Sequence, residues 1–324
     1  STMRTIALEE HYATPAFLDG PGSDLRDQAR AMAGDQVMER LCEVGDGRIA
    51  AMDAAGIDLQ VLSLTAPGVE QLDPPDATAI AREANDGLAE AVRRHPTRLA
   101  GFASLPTPAP QAAADELERT VTELRFKGAM INGHSRGRYL DDEFFWPILE
   151  RAEALEVPIY LHPTPPPQAV IDAAYIGNYP PAVAGILATV AWGWHIDTAT
   201  HVLRLVLSGA FDRYPGLQLI VGHMGEGLSF MLPRIEATLA TVSTLDRPVG
   251  DYFRSNLHYT FAAFNWTPTF LNLLLHVGVD RIMFATDHPY ASMTTARIFL
   301  DQLPVSPHDK QRIANANAEH LLRL

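Results

Sequence analysis

Eight short apolar runs, each followed by a stretch that reads as helix, constrain the fold of this 324-residue chain more than any other feature. The runs lie at 5–8 (TIAL), 59–64 (LQVLSL), 99–104 (LAGFAS), 128–132 (GAMIN), 158–162 (PIYLH), 217–222 (LQLIVG), 256–260 (NLHYT) and 281–285 (RIMFA). They show little polar alternation, which suits strands covered on both faces of a parallel sheet. The intervening helical stretches are 47–55, 76–94, 110–124, 142–155, 196–208, 228–241, 267–277 and 294–302, with a last helix at 308–322. Gly56 is a C-cap candidate for the first of them. Eight such units predict an α/β chain folded as a TIM-like (β/α)8 barrel, in one domain spanning 1–324. The alternative is an open doubly wound sheet, but no Gly-x-Gly-x-x-Gly turn follows the first run.

Two connections are long. Residues 12–45 hold Pro21-Gly22 and a short helical pattern at 24–32. Residues 163–192 hold Pro165-Pro166-Pro167 and Pro180-Pro181. After strands 1 and 5 of a barrel, both sit on the C-terminal rim, where long loops shape binding sites or serve as packing and oligomer contacts. Hydrophobic residues make up 47%, enough for a large core, and the formal charge of −14 argues against nucleic acid or an anionic membrane as partner. No apolar run reaches the ~18 residues of a membrane span. The opening STMRTIALEE lacks the apolar region of a signal peptide, and Ser1-Thr2 ahead of Met3 read as an addition to the natural start. Cys42 is the single cysteine, so a cytoplasmic protein is expected.

The strand ends carry the chemistry. The first run leads into Glu9-Glu10-His11, the fifth ends in His162, the sixth runs into Gly222-His223-Met224-Gly225-Glu226, and the eighth into Thr286-Asp287-His288-Pro289. Alternate strand residues share a face, so Glu9 and His11 point together and Glu10 points away. A closed barrel makes the first and last strands neighbours, so Glu9, His11, His162, His223 and Asp287 converge at one mouth. Taken singly, each has a bland explanation: a histidine at a strand end is ordinarily a hydrogen-bonded structural residue, and Thr-Asp-His-Pro reads as a turn. Their joint occurrence at four strand ends favours a site. Two imidazoles and two carboxylates suit one divalent cation, Zn²⁺ or Mn²⁺ better than Mg²⁺. Glu9, His11, His162 and Asp287 are assigned as ligands and His223 as the acid/base beside them, since an ordinary imidazole titrates at about 6.5.

The pattern resembles the amidohydrolase superfamily, in its amidohydrolase 2 or aminocarboxymuconate-semialdehyde decarboxylase-like branch. It is most similar to the nonoxidative aromatic acid decarboxylases typified by γ-resorcylate and 2,3-dihydroxybenzoate decarboxylases. The matching blocks are Ala7-Leu8-Glu9-Glu10-His11, Leu62-Ser63-Leu64 with Ala66-Pro67, Ala84-Asn85-Asp86, Tyr160-Leu161-His162-Pro163, Gly222-His223-Met224-Gly225-Glu226, Arg234-Ile235 and Thr286-Asp287. The resemblance implies that Glu9, His11, His162 and Asp287 bind the cation, that His223 and Glu226 form an acid/base pair, and that Arg234 helps hold the substrate. The alternative for Arg234 is a surface ion pair with Glu236 or Glu226. Binuclear relatives use a carbamylated lysine on the fourth strand. Here that strand ends at Asn132, and the only lysines are Lys127 and Lys310, so one metal is expected. Asn132 and His134 are within sequence reach of a substrate, with a turn at Asn132-Gly133 as the alternative. His288 and Tyr290 stand where close decarboxylases carry Trp and Phe, segment 12–45 differs, and 134–142 is shorter. The ring-substitution pattern of the substrate therefore stays open.

The function so implied is metal-dependent decarboxylation of an ortho-hydroxy aromatic acid, without an organic cofactor. Ring-carbon protonation, by Asp287 or His223, precedes loss of CO2. Tyr12, Phe17, Trp194 and Tyr290 are candidate ring-packing groups, and a homodimer or homotetramer is expected, with 183–194 among the candidate contacts. Two other readings stand beside this one: a metal-dependent hydrolase of a lactone or ester, with Asp287 as base, and a barrel that binds a metal or aromatic ligand without turnover.

Overall fold

The computed structural model describes residues 3–324, the side chains at 32 and 33 excepted; Ser1 and Thr2, read above as an addition, lie outside the described residues. All eight expected strands form. The first is β1 (Ile6–Tyr12), four residues longer at its end than its apolar run, and β2 is Leu59–Leu64. The third run is interrupted at Phe102, giving β3 (Leu99–Gly101) and β4 (Ala103–Ser104). Then come β5 (Ala129–Asn132), β6 (Ile159–His162), β7 (Leu219–Val221), β8 (Leu257–Thr260) and β9 (Ile282–Met283). Every pairing is parallel, in the orders β1-β2-β3 and β4 through β9. Backbone bonds cross both gaps: Phe102 N to Leu62 O at 2.9 Å, Ala103 N to Gly128 O at 2.8 Å, and Leu8 N to Phe284 O at 3.2 Å. The architecture is the expected TIM barrel.

Two layers of side chains hold it. Ile6, Leu8, Leu59, Val61, Phe102, Met130, Tyr160, Ile220 and Met283 form an inner cluster, while neighbours such as Ala7, Leu62, Ile131, Leu161 and Val221 face the helices. That alternation is what a strand buried on both faces requires. One irregularity re-aims β1. Three steps from Ala7 to Glu10 match two steps on β2, Gln60 to Leu62, so one extra residue bulges there. The bulge shifts the phase. Leu8 belongs to the inner cluster, and Glu9, next to it, also reaches the mouth, joined by His11 one alternation later.

The helices follow the expected stretches closely; Thr267–Val277 coincides, and Asp46–Ala55 ends on Gly56 in the left-handed conformation. The last one breaks into Pro307–Gln311, a π-helical turn Arg312–Ala316, and Asn317–Leu322. Both long rim segments contain short helices: Pro15–Asp19, Ser23–Ala33 and Gln36–Cys42 in the first, Gln168–Ala174 and Pro181–Ala188 in the second. Among the described residues no helix is long and apolar enough to cross a membrane.

Glu70, in the turn after β2, is fully buried, and among the described residues neither of its oxygens has a hydrogen-bond partner of good geometry. Burial pushes its carboxyl up to about 8, against nearby backbone amides and the Asn132 side chain. It is therefore protonated in the fold at neutral pH but ionises near 4.5 when unfolded. Between those values the unfolded chain binds fewer protons, so this group's stabilisation, complete at low pH, is lost as pH rises, by up to about 1.4 kcal/mol per pH unit. Denaturant unfolding between pH 5 and 8 should show this fall, and Glu70→Gln should flatten it. An identical slope in the variant would contradict the assignment.

Candidate metal centre and its acid/base neighbours

The mouth of the barrel is set by three strand ends. Glu9 and His11 stand on β1, His162 ends β6, and Asp287 follows β9; their donor atoms all lie within 4.8 Å of one another. His11 Nε2 is 2.7 Å from Asp287 Oδ1. Glu9 Oε2 is 3.8 Å from Nε2 of both His11 and His162. Glu9 is held from below: Tyr160 donates its hydroxyl to Oε1 at 2.9 Å and lies 2.6 Å from Thr260 Oγ1. A Cβ on Gly222 would sit 2.5 Å from that same Oε1, so the carboxylate needs glycine there.

This donor set fits a divalent cation. His162 donates its Nδ1–H to Pro163 O at 2.7 Å, which leaves the Nε2 lone pair toward Glu9. Burial, with His11 and His223 nearby, holds His162 well below the usual imidazole range, so its ring is neutral and free to offer a lone pair. Glu9 Oε2 is buried without a hydrogen-bond partner among the described residues. Burial raises the Glu9 carboxyl, opposed first by the His223 charge. Burial alone would depress His11, but the bond to Asp287 and the nearby Glu9 carboxylate outweigh it and push His11 up to about 9. Neither lysine reaches the set: Lys127 Nζ lies 3.4 Å from Arg323 O, and Lys310 Nζ is bonded to Asp301 O.

His223 and Glu226 occupy the four-residue turn His223–Glu226, which is left-handed: φ is 53°, 55°, 89° and 56° in order. Asp287 also has positive φ, 63°. Non-glycine residues held there cost roughly 1–3 kcal/mol each and tend to mark functional sites. The turn aims His223 Nε2 at Glu9 Oε2, 3.6 Å away, and bonds His223 Nδ1 to Glu226 Oε1. Burial would lower His223, but the charges of Glu226 and Glu9 push it up to about 10. Glu226 moves the other way: burial opposes, while His223 and a bond to His195 hold it below the ordinary value. His195, which the sequence reading did not single out, places Nδ1 2.6 Å from Glu226 Oε2.

The remaining candidates divide. Tyr290 turns its ring edge toward His11 at 5.4 Å and hydrogen-bonds Thr65 through its hydroxyl at 2.5 Å. Trp194 faces His162 edge-on at 6.3 Å. Phe264, unforeseen from sequence, packs 5.3 Å from both His195 and His223. Tyr12 instead spends its hydroxyl on Ala84 O, and Phe17 is buried in the core against Gly22. Arg234 is exposed on the helix Leu228–Leu239 and makes no ion pair among the described residues; Glu236 pairs with Arg254. Asn132 is buried with Oδ1 unpartnered among the described residues, and His134 is held between Pro165 O and the Gly137 amide. Parity would have exposed Tyr160, two residues before His162 on one strand; nothing in the sequence marks His195 or Phe264.

The chain was compared with known proteins. The family model described as amidohydrolase matches residues 11–324. A gamma-resorcylate decarboxylase from Polaromonas sp. is 39% identical over 98% of both chains. The crystal structure of a 2,6-dihydroxybenzoate decarboxylase complexed with 2,6-dihydroxybenzoate superposes with a TM-score of 0.89 at 37% identity, covering 100% of both chains. A dihydroxybenzoic acid decarboxylase from Polaromonas sp., with manganese and the inhibitor 2-nitroresorcinol, matches with a TM-score of 0.89 at 37% identity over 100% of this chain and 98% of that one. From the strand ends to the full-length match, these findings agree: the chain belongs to the amidohydrolase family.

Proposed function

We propose that the protein is a metal-dependent nonoxidative decarboxylase of an ortho-hydroxybenzoate, a carbon–carbon lyase acting as a single catalytic domain. The observation that carries this is the buried two-imidazole, two-carboxylate set with an imidazolium–carboxylate pair at its edge. Relatives described with dihydroxybenzoate, or with manganese and a nitroresorcinol, support the substrate class and the metal. Glu9, His11, His162 and Asp287 hold the cation. When bound, a divalent cation supplies the positive charge that gathers a substrate's carboxylate and adjacent phenolic oxygen and offsets the acidic surroundings.

The protein's own groups do the rest. His223 stores a proton at Nε2, on the side facing the ligand set, and Glu226 behind it keeps the ring charged. Asp287 is the second mouth-facing group able to carry the proton. Protonation of the ring carbon that bears the carboxylate breaks aromaticity. The ortho oxygen feeds its electrons into the ring, and cleavage of the carbon–carboxylate bond returns a pair to the ring and releases CO2. The proton stays in the product, so one must be taken up again each turnover. Trp194, Tyr290 and Phe264 shape the ring's surroundings. Arg234 keeps its proposed substrate role on the family resemblance alone, whereas Phe17, expected as a ring-packing group, packs in the core against Gly22. For Arg234, exposed as it is, that requires a contact beyond its own chain. A cytoplasmic homodimer or homotetramer is proposed with it, supported by exposed Val183, Val190 and Trp192 on the second rim segment.

Incubation with Mn²⁺ and a panel of 2,6-dihydroxybenzoate, 2,3-dihydroxybenzoate and salicylate should release CO2 from at least one. A chelator should abolish that activity and added Mn²⁺ restore it. Lactone opening with no CO2 from any acid would overturn the reading in favour of a hydrolase. His223→Ala should lower turnover by about 10²–10⁴-fold with metal content unchanged by elemental analysis, as loss of a positioned acid does. Tyr160→Phe should weaken Mn²⁺ binding by about 10–100-fold in a chelator competition, as loss of a group that orients a ligand does.

A further inference from the structure

Outside the ligand set, the chain gathers a second group of side chains: His195, His223 and Glu226. Glu226 is the middle member, its side chain wholly buried, and each oxygen meets a different imidazole: Oε1 meets His223 Nδ1, and Oε2 meets His195 Nδ1 at 2.6 Å. The two histidines come from separate elements, His223 from the left-handed turn after β7 and His195 from the first turn of the helix Gly193–Leu207. Their rings meet edge to face at 4.6 Å.

We propose that His195 is a positioning residue for the decarboxylation: its Nδ1 fixes the rotation of the Glu226 carboxylate, and through it the aim of His223 Nε2. This rests on the decarboxylase reading. The turn cannot provide that hold alone. His223 and Glu226 both have positive φ, a conformation the backbone adopts only when its surroundings impose it. A carboxylate with one imidazole can swing about its terminal bond; with a second imidazole on its other oxygen it cannot do so without breaking a buried charge-assisted bond.

The far side of His195 is fixed as well. Nε2 lies 3.0 Å from Val190 O and 3.1 Å from Trp194 Nε1. The indole is a donor only and the carbonyl an acceptor only. The ring is thus held on both edges in either protonation state: with Nε2 bare it accepts from Trp194, and with Nε2 protonated it donates to Val190. Trp194 in turn faces His162. One side chain therefore ties the acid/base pair to a wall of the mouth, without touching the ligand set.

Asparagine reproduces the Nδ1 position of histidine and glutamine the Nε2 position, which separates this role from simple packing. His195→Asn should keep turnover within about threefold of wild type, whereas His195→Gln and His195→Ala should lower kcat tenfold or more, with KM and Mn²⁺ content little changed. The second readout needs no turnover. In ¹⁵N-histidine-labelled protein, the low-field proton between His223 and Glu226 should persist in His195→Asn and move upfield or vanish in His195→Gln. Thermal unfolding checks that both variants fold. Wild-type kcat in His195→Gln, or an unchanged low-field proton there, would overturn the proposal. If the wild-type chain decarboxylates nothing on the panel, the decarboxylase reading falls, and the proton resonance alone decides whether His195 holds the pair.

Discussion

The site depends on one junction, where the first strand meets the last. Asp287 N donates to Glu9 O at 3.0 Å and His11 N to His288 O at 2.8 Å, so backbone bonds set the ligands from the two chain ends side by side. Glu10, pointing outward between the two ligands of β1, binds both the amide of Thr286 at 2.8 Å and its hydroxyl at 2.5 Å. Gln60 adds a bond to Glu10 at 3.2 Å, and Arg48, itself buried, donates to His11 O at 2.9 Å. These groups are polar and wholly enclosed, so each would be costly without its partner. Satisfied together, they make the position of Asp287 relative to His11 a property of the fold rather than of flexible side chains.

Around that junction the molecule concentrates features that a stability-optimised barrel would avoid. Three carboxylates and four imidazoles share a small buried volume: Glu9, Glu226 and Asp287 with His11, His162, His195 and His223. Three of the seven residues also sit at positive φ. Burial raises the Glu9 carboxyl, whereas Glu226, equally buried, is held below its ordinary value by the His223 charge and the bond to His195.

Much of this was legible in the sequence, and the reasons are physical. Buried parallel strands must be short and apolar, so β2, β5, β6 and β8 are found from composition alone, and a ligand at the end of such a run stands out as a polar residue where the run stops. The extension of β1 through Glu9-Glu10-His11 was not legible as strand, because those residues are polar for the site's sake and carry no β signal. The bulge between Ala7 and Glu10 depends on the register with β2, which no local pattern encodes. Proline-rich text at 163–192 hid two short helices, Gln168–Ala174 and Pro181–Ala188. His195 was hidden for a related reason: the periodic part of its helix begins one residue later, and its partner Glu226 lies on an unrelated turn.

The division of labour follows from where the two groups are anchored. The ligand set hangs on β1, β6 and the end of β9, all tied into the barrel wall. The His223–Glu226 pair hangs on a turn of positive φ after β7 and is bonded from a helix outside the wall through His195. Glu9 joins them, with Oε2 3.6 Å from His223 Nε2 and 3.8 Å from each ligand histidine. Changes to the turn or to His195 can therefore alter proton handling while the cation site stays intact. Changes beneath Glu9, at Tyr160 or Gly222, disturb both at once.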